Sequence, residues 1–322
     1  MPLRIIFCGT PDFALPSLRH LLAQSDFQIA GVVTQPDRPR GRGHATSSSS
    51  VKEAAVSAGV PVYQPEKIRS DEALQYFHRT APDAVVIIAY GQIIPQRLIE
   101  IPRLGWINLH GSLLPKYRGA APIHRAIING ETSTGLTTMR IDAGLDTGPT
   151  LLKFETDVGP DETAPQLYAR LSEAGAPLVA ETLRALERGT IVPAPQDNSR
   201  ATFAPPLEKE EGRIDWSLPA QQIYNRIRGL QPWPGAFTSF RGKNCAIWGR
   251  PILGMGASFE ASPAGATRAS GEILAGSGKV HVACGDGTAL QLEFVQLEGR
   301  KRITALEFAN GARLKPGDQF GN

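Results

Sequence analysis

Short apolar runs separated by stretches of helical periodicity organise the first part of the chain. Arg4 to Cys8, with Ile5, Ile6 and Phe7 in series, has the unbroken hydrophobic character of a parallel strand buried on both faces, and Gly9 leads into a helix expected from about Ala14 to Leu22. Phe27 to Val33 repeats the strand pattern, as does Asp83 to Ala89 through Val85-Val86-Ile87-Ile88. Ser50 to Ala58 and Asp71 to Arg79 have helical spacing. Strands alternating with helices predict a doubly wound parallel α/β sheet of the Rossmann-like kind. The first turn carries Pro11-Asp12-Phe13 where a dinucleotide site would need Gly-x-Gly-x-x-Gly, which disfavours a nicotinamide cofactor.

The pattern then changes twice. Trp106 to His110 is a strand, Pro122 to Asn129 a helix stopped by Gly130, and Thr134 to Ile141 with Thr150 to Phe154 a hairpin around Asp142 to Gly148. A long helix, about Ala164 to Arg188, shows Leu167, Leu171, Leu178, Leu183 and Leu186 as its apolar side. Prolines at 193, 195, 205 and 206 and the run Glu208-Lys209-Glu210-Glu211 follow, so a catalytic-type domain over 1–192, a linker over 193–212 and a second domain over 213–322 are expected. Beyond the linker come a short helix, Gln221 to Arg228, and glycine-separated β runs at Ala246 to Trp248, Gly271 to Leu274, Lys279 to Ala283 and Ala289 to Val295. These suggest a small OB-like β-barrel. Trp233, Phe237 and Trp248 in this domain suit core packing better than base stacking.

Composition narrows the function. A chain of 322 residues has room for two cores, and no apolar run approaches the roughly 20 residues of a membrane span. Met1-Pro2-Leu3-Arg4 runs straight into a strand, so no signal peptide and a cytoplasmic location are the expectations. No obligate protein partner is implied, and a monomer is expected. Cys8, Cys245 and Cys284 are too far apart for a zinc motif and read as buried free thiols; no histidine spacing supports a metal. A net charge of +3 leaves any nucleic-acid surface to local clusters: Arg38, Arg40 and Arg42 in the mobile surface loop expected over Pro36 to Ser50, Lys209 with Arg213, Arg226 and Arg228, or Arg300-Lys301-Arg302. Each cluster is equally readable as a solvated face.

Candidate chemistry sits at the end of the Trp106 strand. Alternation puts Asn108 and His110 on one face, and Gly111 ends the strand with both at its carboxyl edge, where open α/β sheets keep their ligand crevice. An amide can donate to a carbonyl oxygen turning negative, and a neutral imidazole can take a proton from an attacking amine or water. Asp146, in its glycine-flanked loop, is placed to orient that imidazole and stabilise its charged form. A lone Asn or His at a strand end is more often a satisfied loop residue, so the wider sequence decides.

Asn-Leu-His-Gly-Ser-Leu-Leu-Pro-Lys-Tyr-Arg-Gly-Ala-Ala-Pro-Ile, Asn108 to Ile123, closely resembles the signature of the formyltransferases that use 10-formyltetrahydrofolate. Within them the resemblance is greatest to members acting on methionyl-tRNA. It extends through Arg4 to Phe13, Thr34 to Pro39 with Gly41-Arg42-Gly43, Ala89-Tyr90-Gly91, Asp142 to Gly148 and Arg213 to Ser217. It implies catalytic roles for Asn108, His110 and Asp146, folate contacts at Ser112, Leu113, Leu114 and Pro115, and 10-formyltetrahydrofolate as formyl donor. It further implies initiator methionyl-tRNA as acceptor, gripped by Arg38, Arg40 and Arg42 and by the second domain. His44 to Ser50 departs from the family pattern. A formyl-folate hydrolase, a formyltransferase for a nucleotide or sugar amine, and a non-catalytic RNA-binding protein are the competing readings.

Overall fold

The computed structural model describes residues 1–39, 46–252, 268–276 and 278–321. The chain divides into two compact units: Met1–Ile123, Ser133–Asp157 and Gln166–Pro205 form the first, and His124–Thr132, Val158–Pro165 and Pro206–Asn322 the second.

A seven-stranded sheet organises the first unit. In chain order its strands are β1 (Leu3–Gly9), β2 (Phe27–Val33), β3 (Val62–Tyr63), β4 (Ala84–Ile88), β5 (Trp106–His110), β6 (Ser133–Arg140) and β7 (Thr150–Asp157). They lie in the order β3-β2-β1-β4-β5-β6-β7, parallel through β5 and antiparallel beyond it. The order reverses between β1 and β4, which creates the switch point where such sheets open a crevice at their carboxyl ends. On one face Ile6, Cys8, Val33, Val85, Ile87 and Trp106 pack with Phe77 of the helix Asp71–Thr80. Trp106 stacks on Phe77 with ring centres 5.2 Å apart and donates its indole N–H to the Leu98 carbonyl at 2.7 Å. On the other face the long helix Ala164–Glu187 presses Gly175 onto Leu109, where a Cβ would come within 2.5 Å of Leu109 Cδ2. All five leucines expected on its apolar side are buried.

Residues 193–205, expected as linker, are structured parts of the first unit. Ala194 exchanges backbone hydrogen bonds with Thr150, and 202–204 pairs with 118–121 through Arg118 N–H to the Thr202 carbonyl at 2.8 Å and Ala204 N–H to the Arg118 carbonyl at 2.7 Å. Proline removes donors and stiffens a chain, which reads as linker in sequence but equally suits an edge segment that pairs through its other residues.

The second unit is an antiparallel sheet, β8 (Phe237–Phe240), β9 (Lys243–Pro251), β10 (Ile273–Gly276), β11 (Lys279–Ala283) and β12 (Ala289–Leu297), in the order β8-β9-β12-β11-β10, with β13 (Ile303–Thr304) on β12. Its two edges are joined by the chain end: Phe320 bridges Phe240, Gln319 bridges Glu272, and Ile273 N–H reaches the Asp318 carbonyl at 2.8 Å. That closure makes the sheet barrel-like and covers edges that would otherwise invite pairing. Phe240, Phe308 and Phe320 fill its middle with Trp216 stacked on Phe320. Cys8, Cys245 and Cys284 are buried free thiols, as expected, and burial pushes the last two up to about 12. No described helix is long and apolar enough to cross a membrane.

Candidate active site

Strand β5 positions two of the three candidates. Trp106, Asn108 and His110 share a face, and the inward packing of Trp106 at the start of the strand fixes which way the other two point. Asn108 is half-buried, and its carboxamide makes no hydrogen bond with any described residue. His110 is buried, with Nε2 2.9 Å from the Tyr117 carbonyl. A carbonyl only accepts, so Nε2 carries the hydrogen and the neutral ring keeps its lone pair on Nδ1.

That bare nitrogen faces Asp146. Oδ2 of Asp146 lies 3.6 Å from Nδ1, beyond hydrogen-bond length but within the range of a strong charge interaction once the ring is protonated. The same oxygen accepts the Gly119 N–H at 2.8 Å, so the carboxylate is held between loop backbone and imidazole.

The loop is built for this placement. Asp142 Oδ1 accepts from Gly144 N–H at 3.0 Å and Thr147 Oγ1 at 2.7 Å, closing a tight turn. Asp146 has φ of 52°, a left-handed conformation that costs a non-glycine residue about 1–3 kcal/mol and persists only where neighbours impose it. Gly148 admits no side chain, since a Cβ there would sit 1.9 Å from the Arg140 carbonyl oxygen. Gln196 completes the restraint: its Nε2 donates to the Asp146 carbonyl at 2.8 Å and the Gly148 carbonyl at 2.7 Å. Its Oε1 in turn accepts from buried Arg118, through Nη2 at 2.8 Å and Nε at 3.1 Å.

Ser112, Leu113, Leu114 and Pro115 form the turn after β5. Ser112 and Leu114 are buried; Ser112 Oγ donates to the Lys116 carbonyl at 2.6 Å, and Thr137 Oγ1 donates to the Ser112 carbonyl at 2.7 Å. Leu113 and Pro115 keep partly exposed surface. At the neighbouring strand ends Gln35 stitches β1, β2 and β4 together, its N–H on Thr10 Oγ1 at 3.0 Å and its Nε2 on the Tyr90 carbonyl at 2.9 Å. The motif residues Ala89 and Gly91 both take positive φ there. Burial pushes the Tyr90 hydroxyl well above its ordinary value, and that hydroxyl has no partner among the described residues.

The arginine candidates are distributed differently from expectation. Arg38–Pro39 pairs as a two-residue strand with Thr46–Ser47, while Arg40 and Arg42, with His44, lie outside the described residues. Ser49 is not loop filler: it caps helix Ser50–Ser57 by accepting Lys52 N–H. In the second unit Arg228 is buried and donates to the Gly159 and Glu162 carbonyls, and Arg226 donates to the Glu211 carbonyl, so both are structural ties rather than surface cations. Arg213 lies over Phe237, and exposed Arg302 lies 4.2 Å from the centre of Trp248 and 4.1 Å from that of Phe294. Trp233 is 55% exposed, against the core-packing expectation, because its turn Gln231-Pro232-Trp233-Pro234 carries it past the end of the helix Ala220–Gly229 and off the barrel core.

Two residues of the site escaped the sequence reading, Arg118 and Gln196. Arg118 was inside the signature run and so within reach; Gln196 stood in a proline-rich stretch with no periodicity to mark it.

Comparison with known proteins bears on the family. Residues 3–183 match the formyl transferase family and residues 206–313 the formyl transferase C-terminal domain. The methionyl-tRNA formyltransferase of Solibacter usitatus is 52% identical over 99% of both chains, and that of Koribacter versatilis 48% identical over 98% of both. The N-formyltransferase of Helicobacter canadensis, solved with folinic acid and dTDP-3-aminofucose, shares the fold with a TM-score of 0.64 over 91% of this chain and 99% of its own, at 17% identity. With identity this high along its whole length and both domain families matched in order, the chain belongs to the formyl transferases, and among them to the methionyl-tRNA formyltransferase family.

Proposed function

We propose that the chain transfers the formyl group of 10-formyltetrahydrofolate to the α-amino group of initiator methionyl-tRNA, yielding formylmethionyl-tRNA for translation initiation in the cytoplasm. The observation that carries the reading is an imidazole held in one tautomer by Tyr117, its bare Nδ1 facing Asp146, with the unengaged Asn108 amide two residues away on the same strand face. An α-amino group, with a pKa of about 7.7–8.0, is partly neutral at physiological pH, so a base near neutrality suffices.

The amine nitrogen attacks the formyl carbon while His110 Nδ1 takes its proton. The new C–N bond pushes the carbonyl electron pair onto oxygen, where the Asn108 amide donates a hydrogen bond. The imidazolium so formed is stabilised by the Asp146 carboxylate. Collapse of the adduct restores the carbonyl and breaks the bond to folate N10, which takes the proton back from His110. Formylmethionyl-tRNA and tetrahydrofolate leave.

Ser112 to Pro115 supply the folate seat in this reading, Leu113 and Pro115 offering apolar surface that buried Ser112 and Leu114 hold in shape. Residues 1–192, with the 193–205 segment that belongs to the same unit, carry the chemistry, and 213–322 much of the tRNA grip. Arg38, Arg40 and Arg42 would meet phosphates near the acceptor end. The arginine–aromatic pairs and Trp233 of the second unit suit backbone charge and base faces. The test is to supply formyl-labelled 10-formyltetrahydrofolate with water alone, free methionine, a sugar-nucleotide amine or charged initiator tRNA. Label should pass to the tRNA; rapid release as formate without any amine would make the protein a hydrolase instead.

A further inference from the structure

The interval between residue 183 and residue 206 belongs to neither matched family domain, yet it hydrogen-bonds the segments that hold His110 and Asp146. Thr202 Oγ1 accepts the Tyr117 N–H at 2.9 Å, and Tyr117 is the residue whose carbonyl fixes the His110 tautomer. The backbone of 202–204 brackets Arg118: the Thr202 carbonyl accepts its N–H, and the Ala204 N–H donates to its carbonyl. The Arg118 guanidinium reaches back to Gln196 Oε1 and, at 2.8 Å, to Asn198 Oδ1. Gln196 then spends its amide hydrogens on the two carbonyls that flank the Asp146–Gly148 bend.

We propose that residues 194–204 are a strap that sets the catalytic geometry, and that Gln196 and Arg118 are positioning residues that hold Asp146 in its left-handed conformation beside His110. Three physical points support this. The bend is unfavourable by itself, so something must hold it. Gln196 is placed where one side chain restrains both carbonyls of the bend. Arg118 is anchored by two partners from the strap, and its planar fork fixes the Gln196 amide so that nitrogen, not oxygen, faces the loop. The proposal rests on the catalytic reading of Asp146 given above.

The test is a double-variant cycle in the full-length protein, with kcat and KM for both substrates and a thermal melt for each variant. Gln196→Ala should lower kcat about 10²-fold, the cost of an ångström-scale misplacement of a catalytic group, with KM values little changed. Gln196→Glu keeps an acceptor for Arg118 but cannot donate to the loop carbonyls, so it should fail to restore kcat. Because Gln196 acts through Asp146, the double variant Asp146→Asn/Gln196→Ala should be no slower than Asp146→Asn alone. Full activity in Gln196→Glu, or losses that simply multiply in the double variant, would overturn the strap. A fall in activity that tracks a fall in melting temperature across the variants would overturn it as well, as a merely structural contact. Wild-type activity in Asp146→Asn would instead defeat the catalytic reading on which it rests.

Discussion

The carboxyl edge of the first unit's sheet and the outer side of the second unit's barrel both carry polar groups at strand ends, but they treat them in opposite ways. At the sheet edge the half-buried Asn108 amide is left unengaged while the groups around it are buried and bonded: His110, Arg118, Ser112 and Thr137 each have a fixed partner within 3.1 Å. On the barrel, Arg302 rests over two aromatic faces and Trp233 is exposed. Buried, bonded groups are costly to misplace and hold one geometry; cations over rings tolerate shifts and meet many partners. The first arrangement suits bond making and the second suits grip. On the proposed reading the formyl chemistry belongs to the first unit, and affinity for a large polyanion is spread more loosely over the second.

The largest effects should come from the rigid region. His110→Ala removes the proposed base and is expected to lower kcat by about 10²–10⁴, and Asn108→Ala removes the proposed oxyanion donor for about 10²–10³, both with tRNA affinity nearly unchanged. Steady-state kinetics beside direct tRNA titration would show it. If either variant instead lost affinity in proportion to rate, the division between the two regions would break down.

Asp146→Asn keeps the shape of the loop and the Gly119 contact but removes the negative charge opposite Nδ1. Its loss should appear in kcat and in the pH dependence of kcat, with an unchanged melting temperature. Unfolding of the variant would make Asp146 a structural loop residue.

For the barrel the expected effects are smaller. Arg302→Ala should weaken tRNA binding about three- to tenfold and flatten the log–log salt dependence by about one unit, without altering kcat at saturating tRNA. An unchanged slope would show that Arg302 meets no phosphate. Smaller still is an acid effect within the second unit. The Arg125 guanidinium holds the Glu211 carboxyl below its ordinary value of 4.5, against a partial opposing push from burial. Since the folded value lies below the unfolded one, the pair stabilises the protein above the ordinary carboxylate value, and this is lost as pH falls through the folded value. Glu211→Gln should therefore melt lower than the parent at neutral pH and match it in strong acid; equal melting at neutral pH would contradict the pairing.

Much of this was legible in the residues. Continuous apolar runs marked the parallel strands because both their faces are covered, and alternation around Asn108 and His110 placed them together because a strand allows nothing else. The glycines of the Asp142 to Gly148 loop signalled a tight bend, since no Cβ fits at 148. What was hidden depended on contacts between distant residues. The 193–205 stretch looked like linker because its order comes from pairing with 118–121 and 150, which no local pattern records. Arg226 and Arg228 looked like surface charge because the carbonyls they satisfy lie elsewhere in the chain.

The most direct test of the whole account is a single-turnover measurement at increasing tRNA concentration, comparing wild type, His110→Ala and Arg302→Ala with formyl-labelled donor. Saturation removes binding from the rate. The account predicts that Arg302→Ala regains the wild-type rate constant for formyl transfer to methionyl-tRNA, while His110→Ala stays at least about a hundredfold below it at any concentration. A His110→Ala protein that reaches the wild-type rate constant at saturating tRNA would contradict the assignment of the chemistry to the sheet edge.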